Sequence, residues 1–169
     1  MKIILQTPRL QLRQFELDDA EALYTLNSDP DVIKHTGNTA YTSLDEAVAF
    51  VQNYPEYKKN GYGRWAVVKK SNQACIGWCG LKKNELDLVD LGFRFFKSEW
   101  NKGYATESAK ASLEYGFSSL QLPQIMARAA KENVASIRVL EKLGMHYWKS
   151  DDCNGIHNAH YYRLDNPNA

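Results

Sequence analysis

The segment Trp100-Asn101-Lys102-Gly103-Tyr104-Ala105-Thr106-Glu107 lies where an apparent strand ending at Phe96 gives way to a helix. A helix start leaves main-chain N–H groups without intrahelical partners and adds the positive end of the helix dipole. Such a terminus takes a phosphate when the loop lets backbone approach the ligand. Gly103 allows that approach, Ala105 is too small to obstruct it, and Lys102 can add a charge-assisted contact. One glycine before a helix is also what a plain strand-to-helix turn looks like. Ala105 and Ser108 break a G-x-G-x-x-G pattern, and no G-K-[ST] follows, so neither a dinucleotide fingerprint nor a Walker loop is present.

Other reactive side chains point to less. His157 and His160 are an odd number of residues apart in an apparent strand, which sends them to opposite faces. His35 and His146 have no ligand-spaced neighbours, and no metal is expected. Cys75 and Cys79 sit in one apparent strand, roughly 13 Å apart at about 3.3 Å per residue, too far for a bridge. With Cys153 they make an odd set, read as buried or half-buried thiols.

The elements that must position the loop follow from hydrophobic period and turn chemistry. Leu10 and Leu12 near-alternate in a first strand. Asp18 and Glu21 have capping-box spacing before a helix burying Ala22, Leu23 and Leu26, which Asp29-Pro30-Asp31 ends. Ser43 and Glu46 form a second box, opening a helix to about Tyr54. Strands over Trp65 to Lys69, Ala74 to Leu81 and Leu88 to Phe96, joined by short turns, make an antiparallel meander. Helices are expected over Thr106 to Phe117 and Ala135 to Leu143, the second closed by Gly144. Strands are expected over Gln124 to Ala130, Met145 to Trp148 and His157 to Leu164. The order β-α-α-β-β-β-α-β-α-β-β describes an α/β chain of the α+β type, a single mixed, largely antiparallel sheet flanked by helices. Residues 165–169 read as a frayed tail.

Composition narrows the class. The 169 residues suit one domain, with a hydrophobic fraction of 44% adequate for an ordinary core. A net charge of +1 does not indicate a nucleic-acid surface. No apolar run approaches the roughly 20 residues of a membrane span. A soluble, cytoplasmic protein is expected.

Beyond the loop, Asn133-Val134-Ala135-Ser136 opens a helix running through Leu140-Glu141-Lys142-Leu143-Gly144-Met145. This pairing resembles the GCN5-related N-acetyltransferase (GNAT) superfamily, in its ribosomal-protein N-terminal acetyltransferase (RimJ/RimL-like) branch. The family's Q/R-x-x-G-x-G/A motif falls on Trp100 to Ala105, and Thr106-Glu107 matches the branch. Its N-x-x-S…L-E-K-L-G-M/F helix falls on Asn133 to Met145. Thr7-Pro8-Arg9-Leu10, then Leu12-Arg13, resembles the branch's start. The position before Lys102, often glycine, is Asn101, which tolerates left-handed backbone.

The resemblance implies acetyl-CoA as co-substrate. Its pantetheine arm would lie along Phe93 to Lys97, with Phe93, Phe95, Phe96 and Lys97 supplying backbone contacts beside a bulge that splays this strand from the next. Its pyrophosphate would rest on Lys102, Gly103, Tyr104, Ala105 and Thr106. Asn133 would bond the pantetheine amides, or cap its helix. The superfamily's usual tyrosine acid falls on Leu140, so Ser136 is the candidate donor to the departing thiolate. Asp90, Glu99, Glu85 and His35 are candidate bases, each read first as a solvated surface group; Asp90 is favoured among them because it lies on the strand beside the acetyl site. The acceptor pocket would lie with the first two helices and Lys34 to Thr42, which lacks the carboxylate patch expected for a polycation. The implied activity is direct acetyl transfer to a primary amine, foremost the α-amine of a protein or peptide. Alternatives are a small-molecule amine acceptor and a catalytically silent CoA-binding module. Family members are monomers or dimers.

Overall fold

Trp65, Ala66, Val67 and Val68 are buried in succession, which a strand allows only where both faces of its sheet are covered. In the computed structural model, which describes residues 2–169, this run belongs to the third of eight strands. They are β1 (Ile3–Gln6), β2 (Leu10–Arg13), β3 (Arg64–Lys69), β4 (Cys75–Lys83), β5 (Val89–Phe95), β6 (Gln124–Ala129), β7 (His146–Cys153) and β8 (Ile156–Asp165). The helices are α1 (Ala20–Ser28), α2 (Pro30–Ile33), α3 (Leu44–Gln52), α4 (Glu56–Asn60), α5 (Tyr104–Ser118) and α6 (Val134–Lys142). One sheet runs β1-β2-β3-β4-β5-β6-β8-β7, antiparallel throughout except between β5 and β6. The mixed sheet flanked by helices matches the expected fold class. Among the described residues no helix is long and apolar enough to cross a membrane.

One face of the sheet is covered by α5 and α6. Ala109, Leu113 and Phe117 recur on the inner face of α5, and Leu140 of α6 joins the same core with Leu81, Leu91, Phe95 and Ile125. The rest of the inner face of α5 is small. Ser108 and Ser112 are fully buried, their hydroxyls bonded to Tyr104 and Ser108 carbonyls at 2.8 and 2.9 Å. A Cβ on Gly116 would stand 2.6 Å from Ile125 and 2.9 Å from Leu81, so the helix lies close against the strands. The other face is covered by α1 and α3, where Leu23, Leu26 and Ala47 pack with Trp78 and Phe96.

Several boundaries differ from expectation. β1 precedes the expected first strand; α2 and α4 are additional short turns of helix. The expected box opening α1 at Asp18 does not form; a box forms earlier, between Glu16 and Asp19 across the turn Leu17–Asp19. Asp19 accepts from the Glu16 N–H at 2.8 Å and holds both terminal nitrogens of Arg13, while Ala20, not Ala22, is the fully inward alanine. At α3 no Ser43 hydroxyl cap forms. Glu46 instead takes the main chain and hydroxyl of Thr42 at 3.1 and 2.7 Å, and the helix stops at Gln52. α5 begins at Tyr104, a half-turn earlier than expected. β7 runs on to Cys153 because β8 supplies partners along that length. The tail is anchored rather than frayed at its start: Asn166 donates to the Phe117 and Leu122 carbonyls, and its N–H bonds Pro123.

The first strands are tied to α5 by Glu107. Its carboxylate accepts from the Thr7 hydroxyl at 2.6 Å, the Arg9 N–H at 3.0 Å and the Arg9 Nε at 2.7 Å. Burial alone would raise its pKa. The bonds from Thr7 and Arg9 outweigh burial and hold the group below its ordinary value. A depressed carboxylate contributes stability above its unfolded pKa, and that contribution is lost as the pH falls through the folded value. Glu107→Gln is therefore expected to melt below the wild type at pH 7. The gap should close as the pH drops below the ordinary value of 4.5. Parallel melting curves for the two proteins from pH 7 to pH 3 check this.

Candidate active site

A cleft opens where β5 and β6 part. The two strands share one bridging pair, Asp90 with Met126, and then diverge. The cleft they leave, of about 1770 Å³, is lined by Leu91 to Phe95 on one side and Ala127 to Ala130 on the other. β5 keeps an unbroken register with β4 from Val89 to Phe95, so the splay arises without the expected bulge in that pair. The Phe96 N–H donates to Ile76, and antiparallel ladders alternate in twos. Even-numbered β5 residues therefore spend their main chain on β4, while Phe93 and Phe95 direct theirs toward the cleft. The Phe95 carbonyl is taken by Trp100 Nε1 at 2.9 Å, which ties the loop back to the strand. The Phe95 N–H and both main-chain groups of Phe93 stay open. The three rings pack: Phe95 is buried with α5, Phe93 lies against the same core, and Phe96 packs under α1 and α3.

The loop that follows is an amide cradle. Glu99 and Trp100 donate their N–H groups locally, and the next main-chain donor with an acceptor is Glu107, bonded to Gly103. Between them the N–H groups of Asn101, Lys102, Gly103, Tyr104, Ala105 and Thr106 have no acceptor within the described chain. Asn101 and Gly103 both lie in the left-handed region, at φ of 61° and 83°. That backbone turns successive N–H groups to one side, the form of an anion-binding nest at a helix N-terminus. Lys102 reaches Glu99 at 3.3 Å, and Lys97 pairs with Asp31 at 2.7 Å. Arg9 lies over the Tyr104 ring at 4.4 Å.

Across the cleft, α6 begins at Asn133, whose Oδ1 accepts from the Ser136 N–H at 3.3 Å. The capping role is thus occupied, while the amide nitrogen of Asn133 has no partner within the described chain. The Ser136 hydroxyl likewise makes no bond within it. Both residues are half-buried and line the cleft. Leu140 is 2% exposed and part of the core.

The candidate bases separate on geometry. Asp90 is buried between Arg64 Nη2 at 2.5 Å and Arg128 Nη2 at 3.4 Å, a clamp at the apex of the cleft. Arg64 also bonds the Gly80 and Asp90 carbonyls, filling the space that any side chain at position 92 would need. Glu85 is paired with Arg128, which holds its carboxyl below the usual range. Glu99 is buried enough to resist ionisation, yet Lys69 and Lys102 overcome that and hold its pKa down. These three carboxylates are committed to cations, which argues against each as a base. His35 lines the cleft without any bonded carboxylate. The thiols are poor nucleophiles: burial pushes Cys75 to about 11 and raises Cys79 and Cys153, the last of which borders the cleft. His157 pairs with Asp152 and His160 packs on Tyr147; no group of metal-ligating side chains forms among the described residues.

The side of the cleft expected to take the acceptor is built from α1, α3 and the sheet, but its individual lining residues were not named from the sequence. Phe15, Phe50 and Tyr54 cluster there with Tyr57, and the phenols of Tyr54 and Tyr57 bind the Arg64 main chain. Arg94 bonds Asn27 at 2.5 Å and Asn38 at 2.9 Å, beside Trp78. The available signal was the polar stripe Asp90-x-Gly92-x-Arg94 on a central strand whose alternate residues are apolar. Gly37, at φ of 70°, meets the Asn154 carbonyl of the β7–β8 turn, so the 34–42 loop reaches that hairpin over the cleft.

Comparison with known proteins fits this architecture. Residues 9–146 match the family model described as an acetyltransferase (GNAT) domain. The chain is 35% identical to the N-acetyltransferase YnaD of Bacillus subtilis (strain 168), covering 83% of this chain and 81% of that one. It is 34% identical to the N-acetyltransferase p20 of Bacillus licheniformis, covering 82% and 80%. A crystal structure of a GNAT-family acetyltransferase from Bacillus anthracis superposes with a TM-score of 0.82 at 30% identity, covering 98% of this chain and 99% of that one. The chain belongs to the GNAT family of acetyltransferases and is an acetyl-CoA-dependent N-acetyltransferase.

The clamp reading of Asp90 has a direct consequence. Removing one partner of a buried ion pair strands the others. Asp90→Asn is expected to cost roughly 3–5 kcal/mol of unfolding free energy, measured in urea. A variant as stable as the wild type but slow in turnover would instead return Asp90 to the chemistry.

Proposed function

We propose that the acceptor is the α-amine of a peptide or protein, in keeping with the RimJ/RimL-like motifs, and that the reaction is direct attack without an acyl-enzyme. The observation that carries this is the commitment of Asp90, Glu85 and Glu99 to arginines and lysines. A lysine-type amine, near pKa 10.4, needs a strong base; an α-amine, near 7.7–8.0, is partly neutral at physiological pH. His35, through water, is then a sufficient proton acceptor. The segment 34–42 carries no carboxylate, which likewise supports an α-amine over a polyamine.

In this reading acetyl-CoA lays its pyrophosphate on the amides of Asn101 to Thr106 and its pantetheine arm along Phe93 to Phe95, with the Asn133 amide nitrogen reaching the arm. The amine nitrogen attacks the acetyl carbonyl carbon, whose oxygen draws a hydrogen bond from an open N–H at Phe93 or Phe95 as it becomes an oxyanion. Collapse breaks the carbon–sulfur bond. The electron pair leaves on the CoA sulfur, where the Ser136 hydroxyl donates a hydrogen bond, and the nitrogen's extra proton passes toward His35. Raised thiol pKa values leave no cysteine suited to carry the acetyl group. Free thiols and a CoA donor suit the cytoplasm.

Release of CoA measured over a panel of N-terminal peptides, lysine-type amines and polyamines tests the acceptor. Peptides with a free α-amine should turn over fastest, with their N-acetylated forms inert; faster turnover of spermidine would overturn the reading. Ser136→Ala should lower kcat roughly 10–100-fold, the worth of one hydrogen bond to a developing charge, with the KM for acetyl-CoA unchanged. An unaltered kcat would remove Ser136 from the step.

A further inference from the structure

Arg94 occupies an unusual place. It lies mid-strand on β5, between the two residues whose main chain faces the cleft, and its own side chain lines the same cleft on the α1 side. A guanidinium there would ordinarily meet a carboxylate. Arg64 meets Asp90, and Arg128 meets Asp90 and Glu85. Arg94 meets only neutral acceptors: Asn27 Oδ1 at 2.5 Å through Nη1 and Asn38 Oδ1 at 2.9 Å through Nη2. Its register partner Trp78 offers a ring face 5.3 Å away.

Of the carboxylates lining the cleft, Asp31 is paired with Lys97, and Asp90, Glu85 and Glu99 with the cations already named; Glu46 bonds the neutral Thr42, and neither it nor Glu132 bonds Arg94. Besides the Tyr41 phenol, the group that acts on its charge is a second cation, Arg64. Burial holds the Arg94 guanidinium down to about 10, still protonated at neutral pH. A desolvated cation without a counter-ion is costly. Asn27 is itself 8% exposed, so the protein orients the cation from a fixed point without neutralising it. The asparagines use one donor on each terminal nitrogen, and a guanidinium has further N–H groups to offer a carboxylate.

We propose that Arg94 is a specificity-determining residue that binds a carboxylate of the acceptor, so that the preferred substrate is an amine bearing a carboxylate near the reacting nitrogen. This rests on the α-amine reading and extends it from peptides to free amino acids. The carboxylate comes from one of two sources: the acceptor's own α-carboxylate, as in a free amino acid, or an acidic side chain at a peptide's N-terminus. Both place an anion close to the amine, as Arg94's position between Phe93 and Phe95 requires.

Matched acceptor pairs test it: serine against serine amide, and peptide amides beginning with Asp against those beginning with Asn. In the wild type, kcat/KM for the carboxylate member of at least one pair should exceed its uncharged partner by about tenfold or more, as loss of a charge-assisted bond implies. The responding pair identifies the source. Arg94→Gln should erase the preference. Asn27→Asp, which keeps the arginine but gives it an internal counter-ion, should erase it too. Equal use of both members by the wild type, or a preference surviving in either variant, would refute the proposal. If no amine turns over, the acceptor reading fails, yet the site is still decided. With saturating CoA present to fill the amide cradle, malonate should change tryptophan fluorescence saturably in the wild type and in neither variant. No change in the wild type, or the same change in the variants, would overturn it.

Discussion

The separation of β5 from β6 is the constraint on which the rest depends. Two parallel strands that pair at one position and then diverge leave open main-chain groups on both, a cost that a protein accepts where a ligand is to supply the missing partners. The divergence needs a fixed apex. Asp90 provides it by holding Arg64 of β3 and Arg128 of β6 with one buried carboxylate. Gly92 leaves the guanidinium of Arg64 room to cross the strand. The same residue that looked like a base is thus the hinge pin of the cleft.

The amide cradle depends on a second long-range tie. Left-handed backbone at Asn101 and Gly103 turns the N–H groups outward, and Trp100 anchors the loop to Phe95. Glu107, one turn into α5, is gripped by Thr7 and Arg9 from the opposite end of the chain. This explains physically why a Thr-Pro-Arg opening and a Thr-Glu after the loop occur together: the carboxylate fixes the attitude of the helix whose first amides form the cradle. The small face of α5, Ser108, Ser112 and Gly116, lets that helix sit close to the sheet.

Charge commitments divide the cleft's chemistry. Where carboxylates are present they neutralise structural cations, so they position the site rather than move protons within it. Facing ligand space without a carboxylate are the open amides at the start of α5 on one side and the Arg94 guanidinium on the other. Such an arrangement offers anion-binding groups at both ends of the cleft.

The sequence by itself determined the sheet's middle strands, the two long helices, the family and the loop that opens α5. These rest on local signals: the continuous apolar run Trp65 to Val68, the apolar recurrence of Ala109, Leu113 and Phe117, and the paired motifs at Gly103 and Asn133. Caps were less legible because several oxygens compete within a few residues, so Asp19 rather than Asp18, and Thr42 rather than Ser43, took the bonds. The tertiary structure alone decided what the charged residues do. Asp90 and Glu99 both read as carboxylates near a site, Asp90 favoured by its strand, yet whether each is a base depends on cations from β3, β6 and the loop, distant in the chain. Arg94 looked like one charge among many until Asn27 and Asn38 were brought to it without a carboxylate. Spacing fixes which face a side chain occupies; only packing fixes which partners have already claimed its charge.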